Sequence, residues 1–168
     1  MKICRTLAVI AAACLAGAAQ ADVLPAGTFI TGQVDGAATA LLGLDHGFAD
    51  EAGSNVTALS ASELEYLTGD FAVGVDFFTD GRVQVWNNSG TALLPGSYAL
   101  SFDFAGGPAL AGFEPLGLAG VSLQLLGPHR IGISFSNLDF GGEFGSFTAQ
   151  LQASAVPEPA SLPLAALG

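Results

Sequence analysis

Positive charge is scarce in this chain. Its 168 residues include only four Lys and Arg against 15 Asp and Glu, which gives a formal net charge of −11. Arg82 and Arg130 are the only Lys or Arg beyond residue 5. Because nucleic acids and anionic lipids are held by clusters of Lys and Arg, the composition excludes nucleic acid as a partner.

Cysteine and histidine are equally scarce. Cys4 and Cys14 are the two cysteines, and His46 and His129 are the two histidines. A disulfide framework or a thiolate zinc site is therefore excluded for the chain beyond residue 14. No serine lies in the Gly-x-Ser-x-Gly turn of many hydrolases. The sequence predicts a non-enzymatic protein with no catalytic residues. A secreted hydrolase that uses two carboxylates or a histidine is an alternative.

The first 21 residues have the order of a secretory signal peptide. A cationic start is followed by an apolar run, which is too short for the roughly 20 residues of a membrane span, and by a small-x-small cleavage site. These parts are Lys2 with Arg5, residues 7–15, and Ala19 with Ala21. We expect signal peptidase to cut before Asp22, so both cysteines would leave with residues 1–21.

Residues 22–155 predict one all-β domain. Short runs of alternating apolar and polar residues are separated by turns rich in Gly, Asn and Pro. The clearest runs are 71–77, 82–87, 98–104, 121–125, 131–135 and 146–153. An Asp80-Gly81 turn predicts a hairpin, and Pro95-Gly96 predicts another turn. Seven to nine such strands predict a two-sheet antiparallel β-sandwich, jelly-roll-like or immunoglobulin-like, whose strand order stays open.

Residues 59–67 break the alternation. Ser60 precedes Glu63 by three residues, and Ser62 precedes Glu65 by three, which is the spacing of a helix capping box. We therefore expect at most two helical turns here, and at most one short helix in the whole domain.

Acidic residues gather in one glycine-containing loop. Asp45, Asp50 and Glu51 lie close together, with Asn55 nearby. Carboxylate and carbonyl oxygens are the ligands of Ca²⁺, although the spacing matches no EF-hand loop. The sequence therefore predicts no cofactor and ordinary solvated turn residues in this loop, with a bound Ca²⁺ held by Asp45, Asp50 and Glu51 as the alternative. His46, beside Asp45, is open to the same two interpretations.

Trp86 is the lone tryptophan, in a predicted strand whose core residues are Val83 and Val85. Strict alternation then turns Trp86 outward together with Gln84. An outward indole on a β-sheet offers a flat surface for a sugar ring, and Asn87 and Asn88 add polar groups. Trp86 is thus the ligand-binding candidate, with a Trp that merely covers a sheet edge as the alternative.

The C-terminal region contains Val156-Pro157-Glu158-Pro159, followed by a short apolar run. Placed after the last predicted strand of an exported chain, this motif resembles the PEP-CTERM sorting signal. The resemblance implies processing by exosortase, a membrane protease-transpeptidase, and association with extracellular polysaccharide or biofilm matrix. In that family a membrane-spanning helix and several arginines follow the motif. Here nine residues follow Pro159 and none is arginine, so residues 156–168 form an incomplete signal without a stable transmembrane span.

Beside the hydrolase alternative, the sequence favours two functional hypotheses. The first is an exported, non-enzymatic protein of the extracellular matrix, secreted to the cell surface of a Gram-negative-type bacterium, or periplasmic if the tail is not processed. The second is a secreted carbohydrate-binding module, which Ca²⁺ would assist.

Overall fold

A computed structural model of the chain describes residues 22–117 and 119–154. Within these ranges the backbone forms eleven strands and two 3-10 turns, at Ala38–Ala40 and Leu44–His46. The strands are β1 (Phe29–Val34), β2 (Leu41–Gly43), β3 (Val56–Ala58), β4 (Tyr66–Thr68), β5 (Val73–Phe77), β6 (Arg82–Asn87), β7 (Leu93–Ala105), β8 (Leu110–Leu116), β9 (Val121–Gly127), β10 (Arg130–Asp139) and β11 (Ser146–Ala153).

The strands form two sheets, and the predicted β-sandwich is confirmed. Sheet A has the order β3-β1-β7-β10-β9, and sheet B has the order β2-β4-β5-β6-β11-β8. All pairings between these strands are antiparallel. The predicted hairpin joins β5 to β6, where Gly81 has φ +84° and Asp80 Oδ1 accepts the Arg82 N–H at 2.9 Å.

The core lies between the inner faces of the sheets, where β1, β6 and β11 bury alternate residues. In β11 these are Phe147, Ala149 and Leu151, as the alternation predicts. Aromatic rings bridge the sheets: Phe77 of β5 and Phe102 of β7 lie 5.0 Å apart in an edge-to-face arrangement. Such packing fixes the spacing of the sheets and the direction in which each strand turns its outer side chains.

A second link between the sheets is polar. The buried hydroxyl of Tyr66, in β4, donates to the carbonyl of Ile30, in β1, at 2.5 Å. Burial raises the pKa of this phenol above its ordinary range, so Tyr66 remains a hydrogen-bond donor at any physiological pH.

The prediction of at most one short helix is confirmed, but residues 59–67 form no helical turn. Ser60 to Glu65 is an irregular connection, and Tyr66 begins β4. The capping-box spacing is present, but the Glu65 carboxylate accepts the backbone N–H groups of Ser60 and Phe77, and the latter lies in β5. A tertiary partner therefore replaces the local helix that the spacing favours.

Two further details differ from the sequence expectations. Phe71 is not part of the buried stripe of β5: it is 50% exposed, has φ +57° and precedes the strand. Pro95-Gly96 is not a turn between strands but lies inside β7 at a β-bulge, where the Gly96 N–H donates to Asn137 Oδ1 at 3.0 Å. The strand number exceeds seven to nine because β2, β3 and β4 have three residues each, too few to show an alternating pattern.

Candidate functional site

Trp86 lies on the outer face of sheet B, as the alternation predicts. Its neighbours Val83 and Val85 are fully buried, while the Trp86 side chain is 37% exposed. Its cross-strand partners are Gly74 in β5 and Ser146 in β11. Because directly opposed residues cover one another on a sheet face, two such small partners leave much of the indole uncovered.

A groove of about 320 Å³ runs beside this indole, and we name it the Trp86 groove. Its walls combine aliphatic, aromatic and polar side chains. They include Leu64, Leu67, Asp76, Trp86, Asn88 and Phe144. An apolar surface with a few polar groups at its margin is typical of small-ligand sites.

Glycine at position 74 shapes the wall of the Trp86 groove. A Cβ atom at Gly74 would lie 3.3 Å from both Cδ atoms of Leu64, closer than ordinary van der Waals contact. The absence of a side chain thus lets Leu64 lie against β5 beside Trp86. On the opposite side, Asn88 Nδ2 donates to the Phe71 carbonyl at 2.8 Å and ties the end of β6 to the segment before β5.

Phe144 is the aromatic residue that the sequence analysis missed. It lies in the loop between β10 and β11, is 58% exposed and adopts φ +54°. This left-handed conformation costs a non-glycine residue about 1 kcal/mol or more. Phe144 and Trp86 both line the groove, and both rings are partly exposed to solvent. Three glycines lie within four residues of Phe144, at positions 141, 142 and 145. This cluster of glycines was the sequence signal that could have drawn attention to Phe144.

A carboxyl pair lies behind the Trp86 groove, and its two members are 11 residues apart in sequence. Glu65 is completely buried, and its Oε1 and Oε2 accept the N–H groups of Ser60 at 2.8 Å and Phe77 at 2.7 Å. Burial, and secondarily the neighbouring Asp76, raises the pKa of Glu65 to about 8. Burial also raises the pKa of Asp76, against the opposing effects of Glu65 and Arg82.

This pair supports the site rather than reacting in it. The Glu65 carboxyl has no exposed surface, so it cannot contact a ligand in the Trp86 groove. Asp76 is half-buried and lines the groove, and the neighbouring Glu65 opposes the rise in the pKa of Asp76 that burial causes. Sequence analysis paired neither residue with the other, because their contact depends on how β4 and β5 pack.

In the acidic loop, several of the side chains considered for a calcium site make contacts with other protein groups. Asp45 Oδ2 accepts the Ala58 N–H at 2.8 Å, while Asn55 Nδ2 donates to the Gly32 carbonyl at 3.0 Å. Glu51 Oε1 lies 2.6 Å from His46 Nδ1. In residues 22–117 and 119–154 no three His, Cys, Asp or Glu side chains converge as a metal site. Asp50 is exposed, and the calcium hypothesis for Asp45, Asp50 and Glu51 stays a prediction.

His129 and Asp22 are not among the residues that line the Trp86 groove. His129 is in the turn between β9 and β10, and its carbonyl accepts the Phe104 N–H at 2.9 Å. Asp22, after the predicted cleavage, is exposed at the start of the described chain. The candidates Ala19, Ala21 and the sorting motif Val156, Pro157, Glu158 and Pro159 lie outside the described residues. In the part described, no helix has the length and apolarity needed to cross a bilayer.

Comparisons with known proteins identify no family and no relative of this chain. No protein-family model, no curated protein and no solved structure matches this chain.

Proposed function

We propose that this chain is an exported, non-enzymatic protein of the bacterial surface or extracellular matrix whose β-sandwich contacts polysaccharide through the Trp86 groove. The observation that carries the proposal is the uncovered indole of Trp86 beside the strained, exposed ring of Phe144. Both rings offer apolar surface to the C–H groups of a sugar, and polar groups at the groove margin accept or donate to its hydroxyls.

The charges around the groove favour one class of polysaccharide. Asp76 lines the groove, and no Lys or Arg is among its lining residues. The whole chain has a net charge of −11. A polymer rich in uronic acid or sulfate would therefore be repelled, so the expected ligand is a neutral polysaccharide.

Affinity gel electrophoresis tests the proposal with neutral glucans and galactomannan, and with alginate as the anionic comparison. The wild-type chain should migrate more slowly in at least one neutral polymer. Trp86→Ala should weaken this retention by at least about tenfold, because a central aromatic contact is lost. Phe29→Ala is the matched control. Phe29 is 56% exposed, and its strand β1 belongs to sheet A, whereas the groove lies on sheet B.

Fluorescence gives an independent measurement, because Trp86 is the chain's lone tryptophan. Binding should shift or quench its emission at the polymer concentrations that retard migration. Retention that Trp86→Ala leaves intact would contradict the groove assignment. Absence of retention and of any fluorescence change in every neutral polymer would contradict polysaccharide binding altogether.

The export half of the proposal is supported by the sequence of the two ends. Intact mass spectrometry of the protein from the medium and membranes of its host measures it directly. A species that begins at Asp22 and ends near Pro157 to Pro159, or has added mass there, is the expected result. A species from Asp22 to Gly168 would show that exosortase does not process the tail.

A further inference from the structure

The charged side chain in the lining of the Trp86 groove is an acid. Asp76 lines the groove together with Trp86 and Phe144. In the sheet, Asp76 of β5 lies opposite Gln84 of β6, and Trp86 is two residues further along the same face of β6. Such diagonal neighbours of an antiparallel pair lie roughly 7 Å apart, within reach of an aromatic side chain. The strands therefore place a carboxylate and an indole on one ligand surface.

The Asp76 carboxylate lacks a close cationic partner. Arg82 is on the same strand as Trp86, but its guanidinium carbon lies 3.8 Å from the centre of the Phe78 ring. Asp76 takes part in neither of the two ion pairs found in the described part of the chain. Burial raises the pKa of Asp76, and Arg82 opposes this rise only in part. A half-buried carboxylate is costly to hold ionised without a cation, so a cationic group on the ligand would remove this cost.

The aromatic rings of the groove favour the same kind of group. The faces of an indole and of a phenyl ring carry negative partial charge and attract cations, the indole most strongly. Trp86 and Phe144 are both partly exposed in the groove. An ammonium group has three hydrogen-bond donors and no acceptor, which suits a carboxylate beside aromatic faces.

The asparagines beside Trp86 are engaged with the protein backbone. Asn87 Nδ2 donates to the Thr91 carbonyl at 2.5 Å, and Asn88 Nδ2 donates to the Phe71 carbonyl at 2.8 Å. At least one N–H of each amide is thus held by the protein itself. The carboxylate of Asp76 therefore remains the strongest polar group that the lining offers to a ligand.

We infer that the Trp86 groove binds an amino-sugar unit of an otherwise neutral polysaccharide, with the protonated amine at the Asp76 carboxylate and the sugar ring against Trp86. This inference rests on the proposed function and narrows its ligand. A chain with a net charge of −11 attracts such a polymer, just as it repels an anionic one. An acetylated amine has no charge and a single N–H, so the free amine is the expected form.

Isothermal titration calorimetry at about pH 6, where a free amine is protonated, tests the inference. It compares three tetrasaccharides of the same linkage, built from glucosamine, from N-acetylglucosamine and from glucose. We expect the wild-type chain to bind the glucosamine tetrasaccharide at least about tenfold more tightly than either neutral one, because only the amine forms a charge-assisted hydrogen bond.

Two variants of equal charge locate this preference. Asp76→Asn keeps the volume but removes the carboxylate, so the preference should fall below about threefold. Glu114→Gln is the matched control, since Glu114 is exposed in β8, is not a lining residue and loses the same charge. It should keep the full preference. Trp86→Ala should weaken binding of all three tetrasaccharides, and circular dichroism confirms that each variant is folded.

The outcomes separate this inference from the proposed function. Equal affinity of the wild type for all three tetrasaccharides, lost in Trp86→Ala, would overturn the amine assignment and leave polysaccharide binding intact. A preference that Glu114→Gln lowers as much as Asp76→Asn would also overturn it, because overall charge would then be the cause. Absence of binding to all three would overturn the inference, and polysaccharide binding fails with it only if neutral polymers also give no retention.

Discussion

Each sheet has a groove on its outer side, and the two grooves differ in the side chains that line them. Sheet A presents small polar side chains around a shallow groove of about 520 Å³, where Ser97 Oγ lies 2.6 Å from Ser136 Oγ. Sheet B presents Trp86 and the strained Phe144 to solvent. Small serines are inexpensive to hydrate, whereas exposed aromatics and a left-handed Phe destabilise the free protein. The difference makes the Trp86 groove on sheet B the place to test the proposed polysaccharide contact.

Support beneath the two faces differs as well. In sheet B, the buried Glu65 carboxyl accepts backbone N–H groups from two separate segments. The serine contacts of sheet A are instead exposed to water. A buried polar group left without its partner costs far more than an exposed one. The following predictions sharpen this contrast, from the largest expected effect to the smallest.

Glu65→Ala should have the largest effect on stability. It leaves the N–H groups of Ser60 and Phe77 without their acceptor and creates a cavity, so we expect the free energy of unfolding to fall by about 3 kcal/mol or more. Urea unfolding measures this change. Glu65→Gln keeps the volume and one acceptor and should lie between Glu65→Ala and the wild type. Equal stability of all three proteins would contradict the supporting role of Glu65.

Stability should fall as pH rises from about 4.5 to 8. The pKa of Glu65 is about 8 in the folded protein against 4.5 as the ordinary value, so the folded state holds the proton more tightly. The contribution of Glu65 to the free energy of unfolding is complete below pH 4.5 and is lost as pH approaches 8. Over this range the free energy of unfolding falls by at most about 1.4 kcal/mol per pH unit.

Thermal unfolding at several pH values measures this dependence, and Glu65→Gln is the control that should flatten it. Asp70 acts in the opposite direction and in a different range. Hydrogen bonds from Thr68, Ala72 and Tyr98 outweigh burial and lower its pKa, so its contribution is lost only as pH falls below about 4. An unchanged slope in Glu65→Gln would show that other groups cause the pH dependence.

Phe144→Gly should separate stability from binding. Glycine adopts φ +54° without the penalty that Phe144 bears, so the variant should be as stable as the wild type or up to about 1 kcal/mol more stable. Its retention by neutral polysaccharide should nevertheless drop several-fold. Loss of stability without loss of retention would mean that Phe144 is a packing residue.

Ser136→Ala on sheet A should have the smallest effect. The Ser97–Ser136 contact is exposed, and water replaces it, so we expect a change below about 0.5 kcal/mol and unchanged polysaccharide retention. A larger loss of retention than in Trp86→Ala would reverse the assignment of the two faces.

Sequence reasoning identified those strands whose alternation is long enough to read. Val83, Val85 and Trp86 show the pattern clearly, and the structure confirms both the strand and the outward indole. The three-residue strands β2, β3 and β4 were not predicted, because three residues are too few to show an alternating pattern. Glu65 was misread for a related reason: capping-box spacing describes a local preference, and the carboxyl found stronger partners in another strand.

What the sequence by itself determined is the class of fold, the acidic charge and the face on which Trp86 lies, since these follow from composition and a period of two. Only the tertiary structure decided that Phe144 and Trp86 line one groove, and that Glu65 accepts the N–H of Phe77 in β5. Each of these depends on strand order and loop packing between distant residues, and no local pattern specifies how strands choose their neighbours.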